Sequence, residues 1–176
     1  MSGSGSAIGE CPQQFHPEAW QEMLAKLPGA SFGAGETVVT RGTKTGRLWI
    51  LKRGAVCIVK EGVEIATVTE TGAVFGELSA LLDQPHTADV RTIEPSEFHV
   101  ADADTLLRHE PAALLYVAMV LARRLDLANN GLIELKGALA AGAAPNLIRS
   151  ALAKIESILS FIGADYGGTG ATHSIR

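Results

Sequence analysis

Residues 75–90 read Phe-Gly-Glu-Leu-Ser-Ala-Leu-Leu-Asp-Gln-Pro-His-Thr-Ala-Asp-Val, and they hold the residue types best suited to gripping a small anion. The Gly76-Glu77 pair opens a short apolar helical run, and Pro85-His86-Thr87-Ala88 then leads into a strand. Backbone N–H groups at a helix start collect negative charge, and a glycine lets a ligand come close. Glu77 would place one carboxylate beside those donors, where it can accept hydrogen bonds from sugar hydroxyls. The same letters also describe an ordinary turn into a buried helix, so the surroundings decide. The other chemistry-bearing residues assemble nothing comparable. The histidines at 16, 86, 99, 109 and 173 include no His-x-His pair, and Cys11 and Cys57 lack metal-ligand spacing. Cys57 reads as a reduced core residue in an apolar strand. No Ser/His/Asp set comes with a nucleophile elbow, and the carboxylates are scattered with surface spacing. The expectation is a non-enzymatic chain with no metal and no cofactor.

The elements around this stretch follow from periodicity. Trp20, Met23, Leu24 and Leu27 recur at helical spacing until Pro28-Gly29 ends the helix. Short apolar runs then alternate with glycines: Glu36–Thr40, Arg47–Leu51, Ala55–Lys60 and Val63–Thr69, with a hairpin turn at Lys60-Glu61-Gly62. Asp89–Ile93 and Glu97–Val100 add two further strands. Strands this short and this regularly punctuated predict a β jelly-roll barrel, flanked by the N-terminal helix and a long C-terminal one. After Pro111, residues Leu114, Ala118, Leu121, Leu125, Ala128, Leu132, Leu135 and Leu139 step by four and three. That is the seam of a coiled coil, and it predicts a parallel homodimer. Gly131 and Gly137 should fray or bend its far half. A further amphipathic segment carries Leu147, Ile148, Ala151, Leu152, Ile155, Leu159 and Ile162 on one face.

Phe75-Gly76-Glu77-Leu78 with Leu81-Leu82 and Pro85-His86-Thr87-Ala88 resembles the phosphate-binding cassette of the cyclic-nucleotide-binding domain family. The flanks agree: Phe32 with Gly35-Glu36, Leu48 through Val56, Thr71-Gly72, and Pro111 followed by a helix with an Arg-Arg-Leu ending. The resemblance runs from about Phe15 to Leu139 and implies a double-stranded β-helix holding cyclic AMP or cyclic GMP. It assigns ligand contacts to Phe75, Gly76, Glu77, Leu78, Ser79, Pro85, His86, Thr87 and Ala88, and to Asn129 (with Asn130) where the family's long helix covers the purine. One departure stands out. The family's ligand-binding members carry arginine where this chain has His86. Arginine offers a permanent charge and a bidentate donor set that an imidazole cannot reproduce. A charge-assisted hydrogen bond is worth about 1.5–3 kcal/mol, so its loss would weaken binding roughly ten- to a hundredfold. Among the other cations, Arg91, Arg123 and Arg124 are candidates to bring charge near the pocket, with a solvated helix face the preferred reading for the last two.

At 176 residues and 47% hydrophobic, the chain can bury one good core. The expected organisation is a disordered 1–14, a ligand-binding domain with its dimerisation helix over 15–140, an extra helix over 141–163 and a flexible 164–176. A formal charge of −4 argues against general affinity for nucleic acid or anionic membrane. No apolar run approaches the ~18 residues of a membrane span, and the polar start is not a secretory signal, which predicts a cytoplasmic protein. Thirteen residues after 163 leave no room for a winged helix-turn-helix, so this chain alone should not bind DNA. Two functions compete: a stand-alone cyclic-nucleotide sensor acting through dimerisation and an unidentified protein partner, or a drifted fold that serves only as a dimerisation and interaction module.

Overall fold

A computed structural model describes residues 17–140, together with Arg149. The expectations for 1–14, 141–163 and 164–176 lie essentially outside the described residues. Helix α1 (Pro17–Lys26) buries Trp20, Met23 and Leu24, the positions its periodicity marks. Eight strands follow: β1 (Gly29–Phe32), β2 (Thr37–Val39), β3 (Arg47–Arg53), β4 (Val56–Lys60), β5 (Val63–Val68), β6 (Val74–Phe75), β7 (Asp89–Thr92) and β8 (Ser96–Asp102). Between β6 and β7 sits the short helix α2 (Glu77–Leu82), and after β8 come α3 (Ala103–His109) and α4 (Pro111–Ala140).

The strands form two four-stranded antiparallel sheets, ordered β1-β8-β3-β6 and β2-β7-β4-β5. This is the mainly β, jelly-roll-like architecture expected, with two separate ladders rather than one closed sheet among the described residues. One apolar core takes Leu48, Ile50, Leu51 and Phe98 from the first sheet and Val39, Val56, Val68 and Val90 from the second. The chain leaves the first sheet at β6 and enters the second at β7, so the segment from Gly76 to Ala88 bridges the two. At the β4–β5 turn, Glu61 (φ 55°) and Gly62 (φ 80°) both take left-handed conformations, as a two-residue hairpin of type I′ requires.

Helix α4 is tied to the sheets at its start. Trp20 of α1 stacks on Tyr116 with ring centroids 4.1 Å apart. The Tyr116 hydroxyl donates to the Gly72 carbonyl at 3.0 Å, just ahead of β6. Burial pushes that phenol up to about 12. The buried stripe of α4 is Ala113, Tyr116, Val117 and Val120, one residue out of step with the predicted seam. Leu114, Leu125, Leu132 and Leu139 of that seam are exposed instead. The helix continues through Gly131 and Gly137 to Ala140. A glycine costs a helix about 1 kcal/mol, less than the surrounding Leu, Ala, Glu and Lys residues recover together.

Candidate functional site

The cassette begins where β6 ends. Val74 and Phe75 are both buried, and Gly76 then turns the chain with φ 94°. A Cβ at Gly76 would stand 2.5 Å from the Arg47 carbonyl oxygen, so both conformation and space demand glycine there. The turn delivers Glu77 to the first position of α2 with its side chain almost fully buried. Ser79, also buried, donates its hydroxyl to the Gln84 carbonyl at 2.6 Å and closes the loop that follows the helix.

That loop presents His86. Its backbone N–H donates to the Thr43 carbonyl at 2.8 Å, and its carbonyl accepts from Gly42 N–H at 2.9 Å. His86 is 6% exposed, and its Nε2 lies 3.0 Å from the Thr45 hydroxyl. Burial pushes the imidazole below its ordinary 6.5, while the Glu77 charge pulls weakly the other way. At neutral pH the ring is therefore uncharged, with one donor and one acceptor nitrogen.

A cavity of about 220 Å³ opens between this segment and the second sheet. Its walls include Phe75, Gly76, Glu77, Leu78, Ser79, His86, Thr87 and Ala88 on one side, and Val39, Ile58, Lys60 and Ile65 on the other. Eight of the ten residues singled out in the sequence thus meet around one space. Pro85 and Asn129 do not line it; both are exposed. Asn130 turns its amide to Asp126 on its own helix at 3.3 Å, and Arg91 pairs with Asp89 at 3.6 Å.

Arg124 departs most from expectation. It does not lie on a solvated face: its guanidinium pairs with Oε1 of Glu77 and donates to the Val74 carbonyl at 3.4 Å. The two side chains are 18% and 6% exposed. The signal was present in the sequence, because Arg124 follows Val117 and Val120 at i+7 and i+4 and so falls on the buried stripe. Arg124 Nε is buried with no acceptor among the described residues. The cavity thus carries an immobilised carboxylate, a buried donor, a neutral imidazole and apolar walls, which suits a ligand with hydroxyls and a flat apolar part.

The family model of the cyclic nucleotide-binding domain matches residues 30–109. A CRP-like cAMP-activated global transcriptional regulator of Mycobacterium tuberculosis is 30% identical over 130 residues, 70% of this chain and 58% of that protein. A cAMP-dependent protein kinase regulatory subunit of Yarrowia lipolytica is 31% identical over 78 residues, 44% of this chain and 20% of that protein. The chain thus spans less than two thirds of either curated relative. Among solved structures, the catabolite activator protein of Thermus thermophilus superposes with a TM-score of 0.55 at 20% identity, covering 82% of each chain. The match begins in β1, ends in α3 and contains the whole Gly76–Ala88 segment, so the similarity to the cyclic nucleotide-binding domain family takes in residues 30–109.

Proposed function

We propose that this chain is a cyclic-nucleotide-binding regulatory protein, taking cyclic AMP or cyclic GMP in the cavity between α2 and the second sheet. The observation that carries the reading is the buried Glu77–Arg124 pair. It sets a carboxylate on the cavity wall to accept a ribose hydroxyl, and it ties that carboxylate to α4. A ligand that competes for Glu77, or recruits the buried Nε of Arg124, changes the hold of the sheets on the helix. The exposed leucines of α4 support the output: this helix joins two copies, and ligand-dependent changes in its seating pass to a partner protein. The relatives named as cAMP-dependent and cAMP-activated support the ligand class.

Calorimetric titration with cyclic AMP and cyclic GMP tests the reading. One saturable site per chain is expected, and Glu77→Ala should weaken it about tenfold or more, since a hydrogen bond to a charged acceptor contributes about 1.5–3 kcal/mol. Heat that is unchanged in the Glu77→Ala variant would place the ligand elsewhere. A second reading has its own support. His86 already bonds Thr45 and Glu77 already bonds Arg124, so both polar groups are satisfied within the chain. A domain that only dimerises and docks a partner would look the same, and it would give no saturable heat with either nucleotide.

A further inference from the structure

The charges around the cavity do not balance, and the imbalance has one source. Glu77 and Arg124 cancel each other, and the buried imidazole of His86 is neutral at pH 7. The remaining charged wall residue is Lys60, at the end of β4. On β4 the residues Val56, Ile58 and Lys60 share one face, from fully buried Val56 through half-buried Ile58 to exposed Lys60. Lys60 therefore stands at the mouth, on the strand face whose neighbour Ile58 also lines the cavity.

The acids around the hairpin are engaged elsewhere. Glu61 is turned to Arg41 at 3.3 Å. Glu64 accepts from the Thr67 hydroxyl at 2.9 Å. Asp89, on the neighbouring strand, takes the Arg41 N–H at 2.7 Å and faces Arg91. Lys60 makes no ion pair among the described residues. Its hairpin is also fastened to the segment that seats His86, because Arg41, which holds Glu61, begins the stretch whose Thr43 and Thr45 bond His86.

We propose that Lys60 is the counter-ion for the ligand's negative charge and selects a singly anionic ligand over its neutral counterpart. This rests on the nucleotide reading given above. A lysine on a four-carbon stem suits the role, because it can swing from solvent onto an anion that a fixed imidazole does not neutralise. An ion pair at a cavity mouth is sensitive to salt, so its contribution should fade as ionic strength rises.

The test titrates cyclic AMP, cyclic GMP and the neutral nucleosides adenosine and guanosine into wild type, Lys60→Gln and Lys60→Arg, at two salt concentrations. Lys60→Gln should weaken the better cyclic nucleotide about five- to tenfold, flatten its salt dependence and leave nucleoside affinity unchanged; Lys60→Arg should stay near wild type. Melting temperatures of all three should coincide, since the side chain is exposed. A Lys60→Gln variant that binds the cyclic nucleotide as tightly as wild type, with the same salt dependence, overturns the role of Lys60 and leaves the nucleotide reading standing. Wild type that binds none of the four compounds overturns both.

Discussion

At the scale of single residues, His86 carries the clearest consequence. Its ring is buried, and its pKa lies below the ordinary 6.5. Well above pH 6.5 the ring is neutral whether the chain is folded or not, and it adds no pH dependence. As pH falls through 6.5, the unfolded chain takes a proton that the folded chain refuses, so stability drops. His99 is shifted the same way by burial and by Lys52, and adds to the loss. Denaturant midpoints at pH 7.5 and 5.5 should therefore fall less for His86→Gln than for wild type. An equal fall in both would mean that the imidazole titrates as freely as in water. The residues of the cassette were legible because they are contiguous: a Gly-Glu turn and a Pro-His-Thr-Ala exit carry their signature within fourteen positions. For Arg124 the sequence offered its place on the buried stripe but not its partner, since it lies 47 residues from Glu77. The neutrality of His86 was equally out of reach, because it depends on the burial of the ring in the folded chain.

At the scale of elements, the contact between α2 and α4 governs the site. Removing one member of a buried pair strands the other's charge, at a cost of about 3 kcal/mol or more. Arg124→Met should therefore destabilise the protein strongly, and adding Glu77→Gln should recover much of the loss by making the stranded group neutral. Chemical denaturation of both single variants and the double variant measures this. Additive losses would show that the two side chains do not depend on each other. Most strands were readable from glycine-punctuated apolar runs, within a residue or two at each end. The exceptions are instructive. β6 is two residues long, too short for any alternation to register, and is held by pairing Trp49 with Phe75 and Ile50 with Val74. β1 reads Gly-Ala-Ser-Phe, with no β-branched residue, and exists because β8 offers it a full antiparallel ladder from Gly29–His99 to Phe32–Ser96. Both are made by tertiary pairing rather than by local preference.

At the scale of the molecule, α4 has two apolar stripes with different employment. Ala113, Tyr116, Val117 and Val120 pack on the sheets, while Leu125, Leu132 and Leu139 are 64%, 46% and 57% exposed on the part of the helix that runs past them. The heptad step in the sequence identified the second stripe but could not say which stripe the sheets would take. Leu121 packs partly against the core and is a poor probe of association, because charging it would disturb the fold as well. Leu125 and Leu132 are clean probes. Leucines seven residues apart on one face present a seam to a second copy, and burying them would remove from water an apolar surface that a single chain leaves open. In sedimentation at tens of micromolar the protein should run as a dimer. Leu125→Glu with Leu132→Glu should yield a monomer whose melting curve and cyclic-nucleotide titration stay close to wild type, because each cavity is built within one chain. A monomeric wild type would refute the seam. A dimer that survives both glutamates would place the interface on another face of the domain.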